Sequence, residues 1–255
     1  MPPAGADVKI AQVSDKQRVA LITGSSSGIG AAVARRMAAN GLRVVVNSSR
    51  SVEAGTALAA ELPDAIYLQA DVADEQQAGQ LVADTVERTG RLDILVNNAG
   101  RTRAIPHPDL AAASPAVWRE IFGLNVFGTW QTTVAAVPHL KATGSGSVVN
   151  VTSLAGSRPG GSSIPYAASK AAIDHMTRLL ASVLGPEIRV NAVAPGLIDT
   201  PWTAGYTDFR RRIAEETPLR RVGMPEDIAK VVCDVADSLY LTGEVIRVDG
   251  GFHLR

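Results

Sequence analysis

Tyr166 and Lys170, in the run Tyr166-Ala167-Ala168-Ser169-Lys170, are the two residues of this chain best suited to moving a proton. At a spacing of four they share one face of a helix. A free phenol holds its proton up to about pH 10, so a tyrosine that exchanges protons near neutrality needs its anion stabilised. A nearby ammonium does this, and each unit of depression is worth about 1.4 kcal/mol. Upstream, Ser153 follows an apolar, β-branched run and offers a hydroxyl to a developing oxyanion. Asn125, in Gly123-Leu124-Asn125-Val126-Phe127-Gly128, is a polar side chain within an otherwise apolar helical stretch. Each also has a plainer use. A Tyr–Lys pair can be solvated, a strand-end serine can turn the chain, and an asparagine can bond its own backbone.

A proton donor and an oxyanion donor suit the interconversion of a carbonyl and an alcohol, which also needs a hydride carrier. Thr23-Gly24-Ser25-Ser26-Ser27-Gly28-Ile29-Gly30 follows an apolar run and leads into a helix pattern. Glycines allow the backbone to approach a pyrophosphate, and a helix N-terminus presents unpaired N–H groups to its charge. The spacing is GxxxGxG rather than GxGxxG, and the lysine of a P-loop is absent. Asp71, before Val72, closes a later strand and places a carboxylate where an adenine amino group could donate. Asn97-Asn98-Ala99-Gly100 closes the next.

Seven short strands are expected, at Arg18–Ile22, Leu42–Asn47, Ala65–Ala70, Leu92–Asn97, Ser147–Thr152, Ile188–Val193 and Glu244–Val248. Most are continuously apolar, as strands covered on both faces must be. Helix patterns alternate with them. Ile29, Val33 and Met37 form one stripe that stops at Asn40-Gly41, and Ile173, Met176, Leu180 and Val183 form another. Ser114-Pro115 reads as an N-cap and first helical position of a helix over 114–137, and Pro225-Glu226-Asp227 opens one in the same manner. This alternation predicts an α/β chain with a single Rossmann-type, doubly wound parallel sheet, helices on both faces. Residues 17–255 form that domain, after a polar extension over 1–16. Within it, 196–223 carries Trp202 and Tyr206 beside Arg210-Arg211-Arg212. It is either a loop over the substrate or a surface helix with a solvated basic face.

With the glycine turn, Asp71-Val72, Asn97–Gly100, Asn125, Ser153, Tyr166 and Lys170 in this order, the chain resembles the short-chain dehydrogenase/reductase family. The likeness runs from Arg18 to Phe252. It implies that Asn125, Ser153, Tyr166 and Lys170 form a catalytic tetrad. Tyr166 would be the general acid in reduction and base in oxidation, and Ser153 would polarise the carbonyl. Lys170 would bind the nicotinamide ribose and lower the Tyr166 pKa, and Asn125 would hold a water of the proton relay. The resemblance further implies that Gly24, Ser26, Ser27, Gly28, Ile29 and Gly30 hold the pyrophosphate and that Asp71 and Val72 seat the adenine. Asn98, Ala99 and Gly100 would lie along the cofactor, and Pro195, Gly196, Ile198 and Thr200 would cradle the carboxamide. At the end of the second strand the chain reads Ser48-Ser49-Arg50, where NAD-preferring relatives carry an acid. Hydroxyls and a guanidinium suit a 2′-phosphate, so NADP(H) is favoured over NAD(H).

The expected activity is reduction of a ketone, β-ketoacyl-like or from secondary metabolism, to a secondary alcohol, or the reverse. Alternatives are a sugar or cyclitol dehydrogenase of the same family and a non-catalytic dinucleotide sensor; the sensor reading is weakened by Tyr166 and Lys170 both being present. The substrate could be a small molecule or linked to a carrier, with Arg101, Arg103 and Arg158 placed to favour an anion. Lys plus Arg number 25 and Asp plus Glu 25, so no basic excess points to nucleic acid. The four histidines lack ligand spacing, and no metal is expected. A lone cysteine, Cys233, excludes an internal disulfide and fits a cytoplasmic location; its apolar neighbours make it a core thiol. No run reaches the length of a membrane span. Val117, Ile121, Leu124, Phe127 and Trp130 spread around one helix, with small Ala167, Ala168, Ala171 and Ala172 on another. These faces, with Asp249-Gly250-Gly251-Phe252 near an interface in the resembled family, predict a homotetramer.

Overall fold

The computed structural model describes residues 17–205 and 207–255. The extension expected over 1–16, and Tyr206, lie outside the described residues. The elements run β1 (Val19–Ile22), α1 (Gly28–Ala39), β2 (Arg43–Ser48), α2 (Val52–Glu61), β3 (Ile66–Gln69), α3 (Glu75–Thr89) and β4 (Ile94–Asn97). They continue with α4 (Pro115–Phe122), α5 (Thr129–Ala142), β5 (Gly146–Val151), α6 (Ile164–Leu184), β6 (Ile188–Pro195), α7 (Thr207–Glu216), α8 (Pro225–Asp237) and β7 (Val245–Val248). All seven strands join one parallel sheet in the order β3-β2-β1-β4-β5-β6-β7.

β1, β4 and β5 are buried at every position. Side chains alternate between two apolar layers, because successive residues of a strand face opposite ways. Ala20, Ile22, Val44, Val46 and Val96 pack with α1, α2 and α8. Val19, Leu21, Val45, Leu95 and Val148 pack with α3, α5 and α6. Strand order reverses between β1 and β4, and the crevice that this opens at the strands' C-terminal ends is where such sheets take ligands.

The helix expected over 114–137 is not continuous. α4 gives way to a wider π-helical turn, Gly123–Gly128, before α5 resumes and runs through Pro138 to Ala142. The wider turn carries Asn125 to a fully buried position. At α8 the cap differs as well: Met224, not a hydroxyl, precedes Pro225, and Asp227 reaches back to accept its N–H at 2.7 Å. The 196–223 segment combines both sequence readings. A short turn (Pro201–Thr203) and α7 bring buried Ile213 over the crevice, while Arg210 pairs with Asp199 at 2.6 Å and Arg212 approaches Glu216 at 3.8 Å.

Candidate active site

A cavity of about 1010 Å³ lies at the C-terminal ends of the strands and runs from the glycine turn to Tyr166. Its nearer wall is the β1–α1 turn. Ser25 folds that turn by donating to the Ile22 carbonyl (2.7 Å) and accepting from the Asn47 N–H (3.0 Å). Asn47 in turn accepts from the Gly24 N–H (3.2 Å) and donates to the Leu68 and Ala70 carbonyls, tying three parallel strands to the turn. Gly24 is in the left-handed region (φ +62°), and a Cβ there would stand 2.8 Å from Ala99 Cα. Only glycine fits. Ser27 caps α1 without a side-chain bond, so the first N–H groups of that helix face the cavity unclaimed by a hydroxyl. These features fit a dinucleotide pyrophosphate.

Gly24, Ser26, Ser27, Gly28, Ile29, Ser48, Ser49, Arg50, Asp71, Val72, Asn98, Ala99 and Gly100 all line this cavity. So do Ser153, Tyr166, Lys170, Pro195, Gly196, Ile198 and Thr200. Gly30 does not. It is fully turned into the packing, where a Cβ would meet Asn98 Nδ2 at 2.5 Å and the Gly24 carbonyl at 2.7 Å. Glycine at this position lets α1 close on the turn. Asn98 holds that turn by donating to the Thr23 and Gly24 carbonyls at 3.0 and 2.9 Å.

At the far end, three consecutive residues, the last of β5 and the two that follow it, engage α6. The Val151 carbonyl accepts from Lys170 Nζ at 2.9 Å. The Thr152 hydroxyl lies at the Asp174 carboxylate, and the Ser153 hydroxyl at the Tyr166 phenol. α6 starts at this place because Ser163 accepts from the Tyr166 N–H and Pro165 sits in the first turn. Burial pushes the Tyr166 phenol above its ordinary value, against the opposing pull of Ser153. Lys170 Nζ, bonded to the Val151 carbonyl, stands over the Tyr166 ring at 5.8 Å from its centre. Burial lowers Lys170 itself to about 8, opposed by the charge of Asp174.

The Asn125 amide donates to the Arg101 carbonyl (3.0 Å) and Ser169 Oγ (3.0 Å), and its Oδ1 accepts from the Arg101 N–H (2.8 Å). These bonds latch the loop after β4 to α6. The expected anion-binding arginines are likewise committed. Arg101 and Arg103 share Glu120 (3.2 and 2.8 Å), and Arg158 donates to the Phe252 and Arg255 carbonyls while lying over the Phe252 ring at 4.3 Å.

Sequence reading did not single out Ala104, Ile105, Pro106, Leu154, Ala155 or Ile213, which line the wall beyond Tyr166 together with Trp202 and Phe252. Their signal was weak: scattered apolar residues in loops, without a period. The Trp202 ring meets the Tyr166 ring edge-on at 6.2 Å. The loop after β4 is tied across this wall by Thr102 and Ser162, whose hydroxyls are 2.5 Å apart, and by the Ile105 N–H donating to the Ser162 carbonyl.

A family model described as "Enoyl-(Acyl carrier protein) reductase" matches residues 24–253. The chain is 65% identical over 240 residues to "Granaticin polyketide synthase putative ketoacyl reductase 2" of Streptomyces violaceoruber, covering 92% of this chain and 96% of the relative. It is 38% identical to the 3-oxoacyl-[acyl-carrier-protein] reductase FabG of Thermotoga maritima, covering 92% and 97%. Among solved structures, a short-chain dehydrogenase/reductase from Brucella melitensis superimposes with a TM-score of 0.86 at 34% identity, covering 93% and 97%. ElxO with NADP bound does so with a TM-score of 0.86 at 29% identity, covering 94% and 100%.

Proposed function

The chain belongs to the short-chain dehydrogenase/reductase family of oxidoreductases, and from that membership we propose that it reduces an apolar ketone to a secondary alcohol with NADPH. The observation that carries this reading is the pairing of Tyr166 with Ser153 at one end of a cavity whose other end is the glycine turn. NADPH, when bound, supplies the hydride to the carbonyl carbon. Ser153 donates a hydrogen bond to the carbonyl oxygen, and Tyr166 passes it the proton. Lys170 holds the ribose hydroxyls. Gly24, Ser26, Ser27, Gly28 and Ile29 hold the pyrophosphate, and Ser48, Ser49 and Arg50 take the 2′-phosphate.

Ile105, Leu154, Trp202 and Phe252 offer apolar contact, and the enclosed Nε2 of His107 is an unpartnered polar atom of the same cavity. Polyhydroxylated sugars would be poorly served there, which favours a β-ketoacyl-like or secondary-metabolite ketone. The name of the 65% identical relative, a ketoacyl reductase, points the same way. We infer further that the enzyme is cytoplasmic and homotetrameric. No helix among the described residues is long and apolar enough to cross a membrane.

Initial rates with β-ketoesters, acyl thioesters, cyclic ketones and sugars, each with NADPH and NADH, test the reading. Apolar ketones with NADPH should give the highest kcat/KM, and Tyr166→Phe should cut kcat by roughly 10³-fold or more while NADPH still binds. Near-normal turnover in Tyr166→Phe, or a preference for sugars, would overturn it.

A further inference from the structure

We propose that Asp174 is a positioning residue for Lys170, its buried carboxylate, one helical turn away, being the counter-charge of the amine that lines the cavity. This rests on the reading of Lys170 as the residue that holds the cofactor ribose beside the proton donor Tyr166. Asp174 lies one helical turn beyond Lys170 on α6, and the two are 5% and 4% exposed. A carboxylate so buried is rare without a charged neighbour to compensate it. Its Oδ1 has no hydrogen-bond partner, and Arg178 donates only to its main-chain carbonyl, at 3.4 Å.

The carboxylate is also built into the site. At Gly156, in the turn that follows Ser153, a Cβ would stand 2.8 Å from Asp174 Oδ2 and 3.0 Å from the Ala171 nitrogen. Glycine there lets the turn bearing Ser153 press directly on the Lys170–Asp174 segment. Val151, Thr152 and Ser153 thus engage Lys170, Asp174 and Tyr166 in turn. Burial pushes the Asp174 carboxyl above its ordinary value, opposed by the Thr152 hydroxyl and by the charges of Arg178 and Lys170 of its own helix and Arg247 of β7. Among the described residues, the charge acting on Lys170 is that of Asp174. Burial brings Lys170 down to about 8, and the carboxylate works against that fall. Removing a negative neighbour lowers the pKa of a cation, so loss of Asp174 discharges Lys170 within the working range of pH.

The near-isosteric Asp174→Asn, made in the full chain, tests this by two readouts against wild type. In kcat/KM for ketone reduction with NADPH, the wild-type rate should fall above about pH 8. The variant's fall should begin at least about one unit lower, with rates within about threefold of wild type at pH 6. In urea unfolding without cofactor, the destabilisation caused by Asp174→Asn should shrink by roughly tenfold in the folded-to-unfolded ratio between pH 6.5 and 9.5, since Lys170 is uncharged in both proteins at the upper end. Asp174→Glu should restore the alkaline limb. A pH-independent loss in both readouts would make Asp174 a packing residue and overturn the proposal, and the unfolding readout decides this even if no ketone is reduced. Should Asn not fold, Asp174→Ser removes the charge with less bulk and is read identically. Absence of NADPH-dependent reduction by wild type would instead overturn the functional reading.

Discussion

At the scale of single residues, the site divides into groups that face the cavity and groups spent on holding them. Ser48 belongs to both. It is the last residue of β2 and lines the cavity, and its hydroxyl is 2.9 Å from that of Tyr67. No acid stands near the expected 2′-phosphate until Glu53, and Arg50 is exposed at the rim. Ser48→Asp should therefore move the ratio of kcat/KM values toward NADH by at least about tenfold, by repelling the phosphate and accepting from free ribose hydroxyls. Steady-state rates with both cofactors read this directly. An enzyme that prefers NADH before the change would show that this loop does not select a phosphate. Asn125 is the contrasting case, a residue whose identity suggests chemistry and whose bonds are all structural.

At the scale of elements, close approach decides the shape of the dinucleotide end. α1 meets the Gly24 turn and Asn98 so tightly at Gly30 that an added methyl would overlap both. Gly30 has no positive φ, so the constraint is packing and not backbone strain. Gly30→Ala should cost about 1–3 kcal/mol by overpacking and weaken NADPH binding together with stability. Urea unfolding and cofactor titration measure the two losses, and a variant as stable as wild type would mean that the turn yields. The π-helical turn between α4 and α5 works in the opposite sense. By widening the helix at Gly123–Gly128 it delivers Asn125 to the loop after β4, which an unbroken α-helix would not do.

At the scale of the whole molecule, one apolar face is left uncovered. Phe127, Trp130 and Val134 on the π turn and α5 are 58%, 47% and 48% exposed, and Leu179 and Val183 on neighbouring α6 are 57% and 70% exposed. Spacings of three and four keep each set on one side of its helix. Two helices with apolar outer faces suit pairing with their own copies about a two-fold axis, and a second such axis gives a tetramer. Light scattering should report a four-chain mass, and Trp130→Glu combined with Leu179→Glu should reduce it by removing this interface. A wild-type monomer across a dilution series would sink the assembly. Phe252, expected near a subunit contact, lines the cavity of its own chain beneath Arg158.

Local patterns settle what is repeated or covalently close. Apolar, β-branched runs marked all seven strands to within two residues, most sharply at β1 and β4, which are buried at every position. Glycine spacing located the β1–α1 turn, and Tyr166 and Lys170 were legible because one helix carries both. Other properties follow only from packing between distant segments. Whether Lys170 faces the phenol or the Val151 carbonyl depends on where β5 ends relative to α6. The bonds of Asn125 to the Arg101 backbone depend on a helical irregularity that hydrophobic periodicity does not encode. The arginines looked free in sequence because Glu120 and the Phe252 carbonyl, their partners, are distant in the chain. Charge and hydrogen-bond partners are matters of distance in space, and for Asp174, unremarkable in sequence, only the fold shows that its carboxylate is buried one turn from the amine it serves.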